Sequence, residues 1–287
     1  MDFPLLNLVL LNCLLALSQF VVLRAGVFSV ATAGLAAFGA YTTGLLVLRG
    51  MNPILGATLG TAMGGIVAAL LSIPLARLRG VFQAIATLAF VMIVYSICLN
   101  ATPVTGGANG LNAIPRVVNT WILAVVVAVV LYVVYSVNKS AIGRAFETLR
   151  QDETVAVSFG IPVANLHRFA FVLSGLVAGL AGSLMALHNY SVVPEEFAFG
   201  MMVSTLAAVV VGGRSSVLGP LAGAAFLTLL PEIARPLAEN RMVITGVLLM
   251  VSIIYLPLGA VDTISLRFRQ RRAARHERRL VSPGEAA

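Results

Sequence analysis

The sequence predicts an all-α polytopic membrane protein, with about 8–10 transmembrane segments and one pair of short broken or re-entrant helices among them. Three observations carry this. Only 10% of the 287 residues are charged and 59% are hydrophobic, with a mean hydropathy of +0.98, whereas an ordinary soluble domain is about one quarter charged. The apolar runs are long and lack the period-2 alternation of barrel strands. Finally, eighteen Arg and the single Lys139 gather in loops and in the C-terminal stretch, where the positive-inside rule places them. That placement also removes any need to explain the net charge of +8 by nucleic acid.

A helix needs roughly 20 apolar residues to cross about 30 Å of hydrocarbon. Runs of that kind occupy 5–23, 27–48, 53–73, 82–100, 120–137, 168–187 and 241–258. No cleavable leader is expected, because Asp2 replaces a basic start and no A-x-A site follows at the right distance. Residues 200–213 and 217–230 are shorter, each about 21 Å as helix, and "GGRSSVLGP" separates them. They predict two re-entrant helices that meet partway through the membrane, against the alternative of two short tilted spans. Counting Arg puts Arg77 and Arg79, the stretch Lys139–Arg168 and the Arg-rich tail on one side, the cytoplasm. The N-terminus then lies outside and the C-terminus inside. A transmembrane domain over 1–258 and a basic cytoplasmic tail over 259–287 follow.

One polar island interrupts this pattern. "GRAFETLRQDETVAVSFGIPVANLHR" holds Arg144, Glu147, Arg150, Asp152, Glu153 and Arg168, inside a cytoplasmic loop over 138–167. Residues 144–159 lack Pro and Gly and predict one short amphipathic helix, stopped by Gly160 and Pro162. Glu147, Arg150, Gln151, Thr154 and Ser158 fall on one face, and Phe146, Leu149, Ala156 and Val157 on another, with Glu153 among them. Two readings stand: a docking helix for a partner, or a helix lying on lipid. Three acidic residues argue against anionic headgroups.

Four motifs in order then carry a family resemblance. Arg150, Asp152, Glu153, Ala156, Gly160 and Ile161 fit R-x-(D/N)-E-x-x-A-x-x-x-G-I. "RLRGVFQAIATLAF" (77–90), "TGGANGLNAIP" (105–115) and "VVVGGRSSVLGPLAGA" (209–224) fit three further stretches. The chain from about residue 27 to 258 resembles the second of the two permease subunits of branched-chain amino acid ABC importers. Ser215 stands where that family usually has Gly, and "FSVATAGL" (28–35) replaces the usual S-L-G-(H/Q)-A.

The resemblance implies that the island is a coupling helix, with Arg144, Glu147, Arg150, Asp152, Glu153, Ala156, Gly160 and Ile161 facing a separate ATPase subunit. It implies a bacterial inner (plasma) membrane location. It implies as partners a second homologous permease, two ATPase subunits, a periplasmic or extracellular substrate-binding protein and an amino acid. Leu, Ile and Val are the default substrates, with urea, short amides or aromatic acids as alternatives. This chain is expected to bind no cofactor, ATP and Mg belonging to the ATPases, and it contains no G-x-x-x-x-G-K-(S/T).

Candidate pathway residues are Gln83, Thr87, Asn109, Gly212, Gly213, Ser215 and Ser216. Each has a plainer role available. Polar residues in spans bridge helices, the 105–115 glycines serve backbone turns, and "GGRSSVLGP" can be a tight cytoplasmic turn. The competing function is a secondary transporter or channel, but no Asp, Glu, Lys or His is clearly mid-span, which disfavours proton coupling. An enzyme is not expected, since His167, His188 and His276 make no catalytic constellation.

Overall fold

Gly26 ends the first helix by adopting a φ of +81°, a left-handed value that glycine reaches without steric cost. This matters because the sequence predicts a span over 27–48, and the structure does not start that helix until Thr32. The structure, a computed structural model, describes residues 3–233. The predicted span 241–258 and the basic tail 259–287 lie outside the described residues. Within them the chain forms α1 (Pro4–Arg24), α2 (Thr32–Leu48), α3 (Pro53–Leu75), α4 (Val81–Asn100), a single turn α5 (Thr102–Thr105), α6 (Thr120–Lys139), α7 (Ala141–Gln151), α8 (Glu153–Ser158), α9 (Val163–Asn189), α10 (Phe199–Gly212) and α11 (Gly219–Ile233). Two 3₁₀ turns, Gly107–Asn109 and Pro194–Phe197, complete the order. Extended pairing among the described residues is limited to an isolated bridge between Leu111 and Val192. Six of these stretches are long and apolar enough to cross a membrane: α1, α3, α4, α6, α9 and Pro194–Gly212.

The bundle is built around α1, α2 and α9, whose side chains are mostly buried, while α3, α4 and α6 bury one stripe each. In α6 the buried residues are Thr120, Leu123, Val127, Val130 and Val134, a 3-4-3-4 spacing. Trp121, Val125, Val129 and Tyr132 on the other faces are exposed. In a bilayer that surface meets lipid or a partner helix, so its exposure carries no solvation penalty.

Close approach through small residues holds the centre. A methyl group on Gly182 would overlap the carbonyl of Ala36, one on Gly39 the backbone of Gly179, and one on Gly64 the carbonyl of Gly175. These contacts let α2, α3 and α9 touch backbone to backbone, the device that replaces hydrophobic driving force between helices in lipid. Buried hydroxyls add bonds across the seams. Thr43 Oγ1 donates to Ser183 Oγ at 2.8 Å, Ser18 Oγ donates to Ser174 O at 2.9 Å, and Asn12 Nδ2 donates to Thr228 Oγ1 at 2.9 Å.

Two irregular stretches run from the ends of the bundle into its interior. Residues 25–31 follow α1, and Gln19 accounts for their polar groups by donating from Nε2 to Ser29 O and accepting from Thr32 Oγ1 at 2.6 Å. Val30 N donates to Thr87 Oγ1 at 3.1 Å. Val30 and Ala33 pack with Val91, in the middle of α4, and with Met202, in the first turn of α10. The second stretch, 190–198, therefore reaches the same depth, and Phe197 stacks at an angle on Tyr41 with ring centroids 6.3 Å apart. Non-helical backbone at such depth is tolerated only where protein buries it or where it lines a cavity. Thr87→Val keeps the shape and removes the acceptor for Val30 N. We expect it to lower stability by about 1–3 kcal/mol, the cost of a buried donor left unmet, read as a lower midpoint of thermal unfolding in detergent.

Candidate functional site

The polar island is two helices, not the single helix predicted over 144–159. α7 stops at Gln151, and Asp152 takes an extended conformation, with φ −156° and ψ +114°. Its Oδ1 accepts from Thr154 N at 2.7 Å and Val155 N at 3.2 Å. The carboxylate thus caps α8, as Asp does at helix starts. The absence of Pro and Gly concealed the break, because a capping aspartate ends one helix and begins the next without either. These two backbone N–H donors, Val155 first and then Thr154, hold the Asp152 carboxyl below its ordinary range. A depressed carboxylate pKa gives a contribution that is present above the ordinary value of 3.8 and lost as pH falls through the folded value. We therefore expect amide-exchange protection at Thr154 and Val155 to hold at neutral pH, to fall below pH 3.8, and to be missing at all pH values in Asp152→Ala.

α8 ends as cleanly as it starts. Gly160 has φ +73°, its N–H donates to Val157 O at 2.9 Å, and Ile161 N donates to Ala156 O at 3.1 Å. That is the paired closure of a helix by a left-handed glycine, and it gives Ala156, Gly160 and Ile161 a structural role in aiming the end of α8. Ala156 is fully buried.

The charged residues of the island turn toward the rest of the chain. Glu147 Oε2 meets Arg24 Nη2, at the end of α1, at 3.1 Å, and Arg24 Nε donates to Asn138 Oδ1 at 3.1 Å. Arg24 is largely buried, while Glu147 is half exposed. Arg150 Nη1 donates to Arg214 O, in the α10–α11 turn, at 3.3 Å, and its backbone lies against Gly26. Glu153 meets Arg79, in the α3–α4 turn, at 3.1 Å. Both partners of that last pair reach solvent, so its own contribution is small. Arg144 Nη1 donates to Lys139 O at 3.4 Å, and the Lys139 ammonium sits 4.5 Å from the Tyr135 ring centre. The island thus ties together the end of α1, the α3–α4 turn, the end of α6 and the α10–α11 turn. Those segments share one end of the bundle, as the count of spans requires.

Arg24 is the partner that sequence reasoning missed. It is a lone Arg closing an apolar run, and only its burial distinguishes it from a boundary marker.

The candidate pathway residues fall in three places. Gln83 and Thr87 are buried in α4, with Gln83 Nε2 donating to Leu75 O at 3.2 Å and Thr87 Oγ1 donating to Gln83 O at 2.9 Å. Gly212, Gly213, Ser215 and Ser216 form the α10–α11 turn. The structure sets this turn beside Arg150 instead of partway through the membrane, and the end of this helical pair that lies deep is the start of α10, at Met202. Asn109 belongs to the long loop at the opposite end, which is strapped to the end of α9. There Leu111 N and Val192 N exchange bonds with each other's carbonyls, Ile114 N donates to Tyr190 O at 3.0 Å, and Val117 N donates to Leu187 O at 3.2 Å.

The high-affinity branched-chain amino acid transport system permease proteins LivM of Salmonella typhimurium and Escherichia coli are each 32% identical to this chain over 289 aligned positions, covering 87% of it. The chain spans 65% of the length of those relatives. A probable branched-chain amino acid transport permease protein LivM of Methanocaldococcus jannaschii is 23% identical over 54% of this chain and 50% of its own length. The family described as branched-chain amino acid transport system / permease component matches residues 3–253, and the chain belongs to that family.

Proposed function

We propose that this chain is a transmembrane subunit of an ATP-driven importer for branched-chain or related hydrophobic amino acids. The observation that carries the reading is the island. Its contacts with Arg24, Arg79 and Arg214 couple any force applied to α7 and α8 to the end of α1, the α3–α4 turn and the α10–α11 turn. A connecting loop needs no such linkage, whereas an importer driven from a separate subunit does. The driving force then comes from two ATPase subunits that hold ATP and Mg and dock on the island. A second homologous permease completes the membrane pathway, and a substrate-binding protein delivers the amino acid at the end of the bundle that carries Asn109. The island faces the cytoplasm of a bacterial cell, with the N-terminus outside.

In this reading the substrate passes beside Gln83 and Thr87, where the two irregular stretches meet α4. Asn109 lies toward the outer mouth, and Gly212, Gly213, Ser215 and Ser216 lie at the cytoplasmic exit. Discontinuous helices at matching depth are the usual sign of a substrate route in transporters. No chemistry on the substrate is required of this chain.

The test is co-expression with the genomic neighbours. An ATPase subunit should co-purify with the chain, and the assembly in liposomes should accumulate leucine, isoleucine or valine only with ATP. Uptake by the chain alone, without an ATPase, would instead establish a secondary transporter or channel.

A further inference from the structure

Glu196 places a carboxylate in an apolar setting. It lies near the outer end of Pro194–Gly212, a stretch of 19 residues apolar enough to span the membrane. From Gly212, at the end of the bundle beside Arg150, α10 rises about 21 Å to Phe199, inside roughly 30 Å of hydrocarbon. Glu196 comes three residues earlier and is partly buried. The ion pairs among the described residues join Arg24 to Glu147 and Arg79 to Glu153, so none of those cations answers Glu196. What holds it is the side-chain amide of Asn189, the last residue of α9, which donates to the carboxylate. An ionisable side chain within a spanning stretch is costly and marks a functional site. Tyr41 of α2 is the second observation. Its ring lies against Phe197, the residue is 6% exposed, and its hydroxyl is buried without a hydrogen-bond partner among the described residues. Buried polar atoms are nearly always satisfied, and an orphan requires an explanation. The Glu196 carboxylate lies near enough to act on this hydroxyl electrostatically, yet the two are not bonded to each other. Both oxygens keep unused capacity to accept.

We propose that Glu196 and Tyr41 form an outer recognition site for the ammonium group of the transported amino acid, resting on the reading given under Proposed function. A primary ammonium brings three donors and the positive charge that Glu196 lacks, and charge-assisted bonds of this kind are the strong ones. A metal ion does not fit, since no group of three or more His, Cys, Asp or Glu among the described residues could hold one. The Tyr41 and Phe197 rings supply apolar surface beside the charge, as a hydrophobic side chain needs. The Tyr41 hydroxyl is closed off from solvent in this conformation, so the site fills when the outer end of the bundle opens. The site selects for the ammonium that all amino acids share and against acids and amides that lack it.

The test is equilibrium binding of tritiated leucine to the assembled importer without its substrate-binding protein, both nucleotide-free and with a non-hydrolysable ATP analogue. Glu196→Gln keeps an oxygen for Asn189 and removes the charge; it should weaken binding about tenfold or more. Tyr41→Phe keeps the ring on Phe197 and removes only the orphan hydroxyl; it should fold as wild type and weaken binding about threefold to tenfold. Glu195→Gln, at the exposed neighbour, should bind as wild type. Isoamylamine, which has the ammonium and no carboxylate, should displace leucine, and isocaproate, which has the carboxylate and no ammonium, should not. Equal binding by wild type, Glu196→Gln and Tyr41→Phe would overturn the proposal, as would equal displacement by the two competitors. Unchanged leucine binding in Glu196→Gln with weakened capture of the substrate-binding protein would overturn it too, giving the carboxylate to a cationic side chain of that protein. A wild-type assembly that transports leucine but binds none in either nucleotide state would also sink it. A wild-type assembly that accumulates no amino acid with ATP would count against the importer reading itself, a different failure.

Discussion

Gly182→Leu is expected to destabilise the bundle by about 3 kcal/mol or more and to sharply reduce the yield of folded protein. Overpacking a filled core costs about 1–3 kcal/mol when side chains can yield. At Gly182 they cannot, because the added carbon would meet the backbone carbonyl of Ala36 on α2. Relief requires moving α9 away from α2. That in turn opens the neighbouring seam at Gly39 and Gly179 and stretches the Thr43–Ser183 bond. The proper control is Gly200→Ala, at the start of α10, where an added methyl meets nothing. Alanine is the better helix former by about 1 kcal/mol, so this variant should be neutral or slightly more stable. Size-exclusion profiles and thermal unfolding in detergent read both. Equal behaviour of the two variants would mean that α2 and α9 do not pack as closely as described.

Within the described residues, the apolar helices and their order were legible in the sequence because length and hydropathy are local properties. So was the island, whose charge density stands out against an apolar chain. What escaped were features decided by single residues acting at a distance. Asp152 reads as one more surface charge until its carboxylate is seen taking two amides of the next turn. Residues 27–31 are apolar enough to extend a helix, and only Gln19, Thr32 and Thr87 reveal why they do not. The α10–α11 pair was recognised by length, but which irregular stretch lies deep depends on Met202 packing against the middle of α4, a contact between residues more than a hundred positions apart. Periodicity over 144–159 placed Glu147, Arg150, Gln151, Thr154 and Ser158 on one face of a single helix. In the structure Glu147 and Arg150 of α7 bond to the end of α1 and the α10–α11 turn, while Thr154 and Ser158 belong to α8, because α7 and α8 are separate helices with unrelated faces.

The Arg24–Glu147 pair should respond unequally to removal of its two members. Breaking a fully buried pair by deleting one partner costs about 3–5 kcal/mol, a figure to be discounted here because Glu147 is half exposed. With Arg24→Met, the Glu147 carboxylate can turn to water, and the methionine stem fills the space beside Phe20 and Val134; the expected cost is under about 1 kcal/mol. With Glu147→Ala, the guanidinium stays in its buried position, keeps Asn138 and loses the carboxylate at 3.1 Å. That desolvated charge has no comparable route to solvent, and the expected cost is about 2 kcal/mol. Thermal unfolding of the two variants measures the asymmetry. The functional consequence is separate from stability. Both substitutions remove the ion pair between α7 and the end of α1, while leaving Arg150 bonded to Arg214 O. Under the proposed mechanism each variant should still hold its ATPase subunit and hydrolyse ATP, yet accumulate several-fold less substrate per ATP consumed. Uptake that falls only in proportion to the amount of folded protein would reduce the pair to a structural clasp, and transmission would then rest on Arg150 and the α10–α11 turn alone.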